Sequence, residues 1–128
     1  MEADSLLLLR GIEQELHSLF SNIIFNAIKY TPAKGNIAIQ WYCENNKAYF
    51  RVKDTGIGIA VKHLPRITER FYRVDKDRSR ASGGTGLGLA IAKHVLIRHD
   101  GKLLIDSELG KGTTFTCVFP KKRIVVVK

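Results

Sequence analysis

Strand-like segments in this chain come in adjacent pairs, and that pairing restricts the fold more than any other feature. Ile37, Ile39 and Trp41 alternate with Ala38 and Gln40, the period-two pattern of a half-buried strand. Glu44-Asn45-Asn46-Lys47 supplies a turn, and Ala48 to Lys53 returns as a second strand. Leu103-Leu104-Ile105 and Thr114 to Phe119 form another hairpin around the turn Glu108 to Gly112, with Phe115, Cys117 and Phe119 on one face. Residues 6–10 read as an extra strand. Glu13 to Tyr30 reads as a helix, with Leu16, Phe20, Ile23 and Ala27 at helical spacing, ended by Thr31-Pro32-Ala33-Lys34-Gly35. A short helix is expected near Val61 to Thr68. A second long helix is expected over Leu87 to His99, with Leu87, Ile91 and Val95 in line. The intervening Arg73 to Gly84 is polar and aperiodic, and reads as a mobile loop. Paired strands with helices inserted between them argue against a doubly wound parallel sheet and for a two-layer α+β sandwich.

The length of 128 residues suits one domain spanning 1–128, with a core that needs no metal or disulfide. No apolar run approaches the roughly 20 residues that cross a bilayer, and Leu6 to Leu9 is far too short. Cys43 and Cys117 both fall in strands and read as small apolar side chains in a reduced protein. The formal charge of +9 favours anionic partners: nucleotide, nucleic acid or an acidic protein surface. Two basic clusters stand out, Arg66 to Arg80 and Lys121-Lys122-Arg123, and the second reads as a solvated tail.

Three places carry chemistry. Asn22, Asn26 and Lys29 share one helical stripe at i, i+4 and i+7. Amide oxygens there could hold a hard cation and the lysine a phosphate; a solvated helix face explains the stripe equally well. Asp54-Thr55-Gly56-Ile57-Gly58-Ile59 follows a strand directly. A carboxylate there can accept from an exocyclic amine, while glycines let a ligand approach the backbone. The triplet Asp54-Thr55-Gly56 also fits half of a dimeric aspartic protease, but Lys53 and Ile57-Gly58 are the wrong neighbours. Gly83-Gly84-Thr85-Gly86-Leu87-Gly88-Leu89 opens the second long helix. Backbone N–H groups at such a helix start bind phosphate. The spacing is neither a P-loop nor a dinucleotide fingerprint. Between the glycine segments lie Arg66, Arg70, Arg73, Arg78 and Arg80, interrupted by Phe71 and Tyr72. They could contact terminal phosphates, with Phe71 anchoring the loop. A nucleic-acid module would explain the charge, but the aromatics fall in strands rather than on a basic surface, and no nucleic-acid partner is expected.

The order of these features resembles the asparagine, first glycine, phenylalanine, second glycine and third glycine boxes of histidine-kinase ATPase domains. The stretch Ile67 to Asp75 is similar to phosphate-regulon sensor kinases in particular. The resemblance covers nearly the whole chain. It implies a mixed, mostly antiparallel sheet of about five strands with about three helices on one face. It implies ATP and Mg²⁺ as cofactors. Asn26, with Asn22 one turn before it, would ligate Mg²⁺, Lys29 would contact phosphate and Tyr30 would lie near the base. Asp54 would accept from the adenine amino group beside Gly56, Gly58 and Ile59. Arg73 would contact the terminal phosphate, and Asn26, Lys29 and Arg73 would be the catalytic set. Gly84, Thr85, Gly86, Leu87 and Gly88 would form the phosphate loop, and Thr113 would lie near adenine, under a lid from Arg73 to Gly84.

Gyrase, MutL and Hsp90 type relatives carry a glutamate where Asn22 stands, and an amide cannot act as a general base. The resemblance therefore implies holding ATP for another nucleophile. That nucleophile, a histidine on a separate dimerising hairpin, has no counterpart here: His17, His63, His94 and His99 all lack its acidic neighbour. The expectation is the cytoplasmic catalytic piece of an inner-membrane sensor kinase. As a fragment it would be monomeric, with weak nucleotide binding and no autophosphorylation of its own. Its partners would be the parent's dimerisation and phosphotransfer domain, within a homodimer, and a response regulator. The alternative is a regulatory pseudo-kinase that binds nucleotide without transferring phosphate.

Overall fold

A computed structural model describes residues 2–3, 7–69 and 88–126. Their strands are β1 (Glu2–Ala3), β2 (Leu7–Leu9), β3 (Ile37–Glu44), β4 (Lys47–Asp54), β5 (Lys102–Glu108), β6 (Gly112–Phe119) and β7 (Ile124–Val126). The α-helices are α1 (Glu13–Tyr30) and α2 (Gly88–Arg98), with 3-10 turns at Val61–His63 and Lys121–Arg123. The main sheet has the order β1-β3-β4-β6-β5; β1 pairs parallel with β3, and the other pairs are antiparallel. The expected α+β class, mixed sheet and two hairpins are present.

Local chemistry sets each element. Glu13 and Glu15 in the first turn of α1 and Lys29 in the last complement the helix dipole. Leu16, Leu19, Ile23 and Ala27 form its buried stripe. Thr31 ends it by donating its hydroxyl to the Ala27 carbonyl at 2.6 Å, and Pro32 follows. Asn45 and Asn46 take φ of 52° and 63° between β3 and β4, the left-handed pair that a two-residue hairpin turn requires. Alternation along β4 and β6 sends Ala48, Phe50, Val52, Phe115, Cys117 and Phe119 into the core beneath the helices. Phe20 of α1 meets Phe50 at 4.5 Å and Phe119 at 6.2 Å between ring centroids, and Trp41 closes on Phe119 at 6.4 Å. The opposite face of the sheet carries stacked Tyr42 and Tyr49.

Several expectations change. The strand at 6–10 is Leu7–Leu9, and it lies outside the main sheet, paired antiparallel with β7. The main sheet takes its fifth strand from Glu2–Ala3 instead. The region from Val61 to Thr68 holds one 3-10 turn followed by further turns, not an α-helix. In α2 the buried stripe is Leu89, Ala92, Val95 and Leu96, while Ile91 faces outward; Leu87 lies outside the described residues. Cys117 is buried but Cys43 is exposed. Among the described residues, β1 pairs with β3 only as far as Trp41, and no strand flanks Cys43 on that side. Among the described residues, no helix is long and apolar enough to cross a membrane.

At the far end of α2, the basic tail is tied down. Asp100 takes Arg123 at 3.1 Å and Lys122 at 3.2 Å, and hydrogen bonds from Arg123 and then Lys122 lower its carboxyl pKa. Next to it His99 is 1% exposed. Its Nδ1 donates to the Val95 carbonyl at 2.8 Å, and its Nε2 accepts the Ile12 N–H at 3.0 Å.

The two thiols are expected to behave differently. Burial pushes the Cys117 thiol from its ordinary value of 9.0 up to about 12. A disulfide-exchange reagent at pH 8 should therefore titrate one thiol, Cys43, in the native chain and two after denaturation; two fast native thiols would contradict the packing of β6. The sign of the linkage follows. The folded pKa is raised, so this group's contribution to stability is complete below about pH 9 and is lost as pH rises toward about 12.

Candidate functional site

The predicted site residues that are described fall on α1, at the end of β4 and in the loop after it, at the start of β6 and at the start of α2. At the C-terminal end of α1, the loop after β4 folds back on the helix. The Ile57 N–H donates to the Tyr30 carbonyl at 3.1 Å. A Cβ on Gly56 would stand 2.1 Å from that same oxygen, so only glycine permits the approach. Gly58 lies against the Glu108 carbonyl in the β5–β6 turn. Gly112, at φ 129°, is pressed against the Asp54 carbonyl, where a Cβ would come within 2.1 Å. The helix end, the β4 loop and the second hairpin turn thus meet at one point.

Asp54 is the buried charge at that point, 2% exposed. Its Oδ1 accepts the N–H groups of Gly56 at 2.9 Å and Thr113 at 3.1 Å. Its Oδ2 is buried with no hydrogen-bond partner. An unpartnered buried acceptor is costly. Thr113, 3% exposed, shares a hydroxyl hydrogen bond of 2.7 Å with Ser107. Ser107 Oγ also accepts the N–H of buried Ile59 at 2.7 Å and donates to the Gly112 carbonyl at 3.1 Å. Ser107 was not foreseen as part of this network. Its signal was the hairpin register, which places it directly opposite Thr113.

Two turns up α1, the asparagine stripe is ordered by its own helix. Asn22 Nδ2 donates to the Ser18 carbonyl and Asn26 Nδ2 to the Asn22 carbonyl, both at 2.9 Å. Each amide nitrogen is thereby turned toward the backbone of its own helix. Gly88, at the start of α2, packs against them: a Cβ there would lie 3.1 Å from Asn22 Oδ1 and 3.5 Å from Asn26 Nδ2. Lys29 Nζ stands 5.4 Å from the Tyr30 ring centroid. From Tyr30 back to Asn22 is roughly 12 Å along the axis at the rise of an α-helix. The Asp54 loop thus lies at the C-terminal end of this stretch of α1, and the start of α2 lies beside Asn22 and Asn26. Arg73, Gly84, Thr85, Gly86 and Leu87 lie outside the described residues, as do Phe71 and Tyr72. Among the described residues, no cluster of histidine, cysteine, aspartate or glutamate has the make-up of a metal centre.

Comparison with known proteins agrees with this geometry. Residues 11–123 match the family model described as histidine kinase-, DNA gyrase B-, and HSP90-like ATPase. The phosphate regulon sensor protein PhoR of Pseudomonas aeruginosa is 59% identical over 116 residues, which are 91% of this chain and 26% of that protein. The chain thus spans about a quarter of the length of such curated relatives. Among solved structures, the mycobacterial sensor histidine kinase MprB superposes with a TM-score of 0.76 at 30% identity, covering 88% of this chain and 76% of that one. Full-length ShkA, solved in complex with AMPPNP, superposes at 0.73 with 31% identity, over 90% of this chain and 22% of that one. An isolated acceptor oxygen, an asparagine helix and a glycine-started second helix, on this sheet and with these relatives, have one explanation: the chain belongs to the histidine kinase-, gyrase B- and Hsp90-like ATPase family, as a catalytic ATP-binding domain of the bacterial sensor histidine kinase type.

Proposed function

We propose that this domain binds Mg·ATP along α1 and presents the γ-phosphate to a histidine on a separate helical hairpin of a phosphate-responsive sensor kinase. The observation that carries the reading is Asp54 Oδ2, a buried acceptor with no partner among the described residues, beside an Oδ1 that accepts two backbone N–H groups. The adenine amino group supplies the missing donor. Tyr30 and Ile59 flank the base, and Gly56 and Gly58 keep the backbone close enough for it to enter. The distance along α1 then puts the phosphates beside Asn22, Asn26 and Gly88.

Asn26, with Asn22 behind it, would hold Mg²⁺ through amide oxygen. The ion, when bound, neutralises charge on the phosphate oxygens. Lys29, Arg73 and the backbone N–H groups of Gly84, Thr85, Gly86, Leu87 and Gly88 complete the charge balance. Nothing at position 22 can take a proton from water, because an amide is not a base at neutral pH. The domain thus favours transfer to an incoming imidazole over hydrolysis, and its contribution is positioning and electrostatics. In the parent protein the acceptor hairpin would dimerise, a response regulator would receive the phosphate, and the domain would sit on the cytoplasmic side of the inner membrane.

Calorimetry with AMPPNP and Mg²⁺, followed by incubation of the chain with Mg·ATP and the parent's histidine hairpin in trans, tests this. Weak saturable binding is expected, with no phosphohistidine on the chain alone and acid-labile phosphate on the added hairpin. Binding without transfer to the hairpin would instead favour a regulatory pseudo-kinase. No saturable binding at millimolar nucleotide would overturn both.

A further inference from the structure

Away from the site on α1, the described residues enclose a second concavity, a groove of about 370 Å³. That is within the size range of real ligand and peptide sites. Its floor is Leu103 and Ile105 of β5, one wall is Lys93 and Ile97 of α2, and the other is Leu64, beyond the first 3-10 turn. This second wall is anchored, because Ile67 in the same segment is 5% exposed in the core. Ile97 by contrast is 60% exposed. Lys93 and Lys102 stand exposed at the rim. Neither has a hydrogen-bond or ion-pair partner among the described residues, and no carboxylate lines the groove.

The groove runs beside the edge of the main sheet formed, among the described residues, by β5. β5 ends the five-stranded sheet. At its C-terminal end the loop after β4 is attached, through Ile59 N–H to Ser107 Oγ and Gly110 N–H to the Ile57 carbonyl. Its first half, the part that floors the groove, has no strand on its outer side among the described residues. An unpaired edge with an apolar trough beside it is the surface on which an extended peptide adds as a strand.

We propose that this groove docks an acidic, extended segment of a partner protein. The segment pairs with the outer edge of β5 from Lys102 to Ile105. Its alternate apolar side chains fall on Leu103, Ile105 and Ile97, its intervening carboxylates on the opposite face meet Lys102, and Lys93 at the helix-side rim adds a longer-range attraction. Charge selects the occupant. A second copy of this chain also carries +9 and would bring cations onto cations, whereas an acidic segment is steered toward the groove. The proposal does not depend on the nucleotide reading.

The test uses a fluorescein-labelled synthetic peptide of alternating glutamate and leucine, and the same peptide with lysine for glutamate. Saturable anisotropy is expected with the acidic peptide only, with amide NMR shifts confined to β5, Lys93 and Ile97. The double substitution Lys93→Glu, Lys102→Glu should weaken the acidic peptide at least tenfold, admit the basic one, and leave the melting temperature unchanged. Four outcomes would overturn the proposal. The acidic peptide could fail to saturate at millimolar concentration, or bind the double variant equally well. Shifts could centre on Tyr42 and Tyr49 of the opposite sheet face. The chain alone could form a dimer that the double substitution dissolves, which would assign the groove to a second copy.

Discussion

Asp54→Asn is expected to weaken ATP-analogue binding by roughly ten- to a hundred-fold while leaving the domain folded, since a hydrogen bond to a charged group contributes about 1.5–3 kcal/mol. The substitution is nearly isosteric. An amide oxygen can still accept the N–H groups of Gly56 and Thr113, which hold Oδ1 at 2.9 and 3.1 Å. The change falls on the other atom, now buried without a partner, where an NH₂ would face the amino group of adenine, donor against donor. The discriminating experiment compares ATP with inosine triphosphate, whose base carries a carbonyl in place of that amine. Wild type should prefer ATP. The variant should lose that preference or invert it, because its amide can donate to the carbonyl. Equal loss for both nucleotides would mean that the substitution had disturbed the pocket generally, and the assignment of Oδ2 to the base would fall.

His99→Ala should have the largest effect on stability, about 3–5 kcal/mol, from an emptied ring volume and an orphaned amide together. That is a large share of the roughly 5–15 kcal/mol that holds a domain folded. The ring is 1% exposed, and the Gly11 backbone lies flat on it: a Cβ at Gly11 would meet Cδ2 at 2.5 Å. The hydrogen bonds define a neutral imidazole with its proton on Nδ1. Removing the ring leaves the Ile12 N–H without its acceptor, at the start of a helix that has no side-chain cap. The Val95 carbonyl keeps a partner, since it also accepts the His99 backbone N–H at 3.1 Å. Urea denaturation should show a lower midpoint with an unchanged slope. A loss below about 1 kcal/mol, the scale of a single exposed contact, would contradict both the packing of the ring and its bond to Ile12.

His99 also shows where reading the chain reached its limit. Its sequence neighbours, Arg98 and Asp100, give no hint of burial, and its main partner lies 87 positions away. The elements that could be read were those whose information is local. The stripe of α1, the alternation of β4 and β6 and the asparagine turn all follow from periods within a dozen residues. The loop at Asp54 and the glycine at 88 were legible because their residue types are unusual where they stand. β1 and β7 were not, since strands of two and three residues contain no period to detect. Ile91 misled because helical spacing identifies an apolar side chain without saying what covers it, and the core meets Leu89 and Ala92 instead. Ser107 became visible only when the hairpin register set it against Thr113.

The ribbon of β2 and β7 joins Leu7 to Val126, the most widely separated partners among the described residues. Closing so long a loop costs little more entropy than closing a shorter one, but the search for it is slow, and six short-strand residues cannot nucleate a fold. This contact is therefore expected to form after the folding barrier has been crossed. Substitutions in it act as a clasp fastened last: they change how quickly the folded domain comes apart and leave the rate of its formation alone. A chevron plot should show Ile124→Ala in the unfolding limb, and a matching shift in the folding limb would place the clasp in the nucleus. The time the folded domain stays closed is then set where the strand Leu7–Leu9 meets the strand Ile124–Val126.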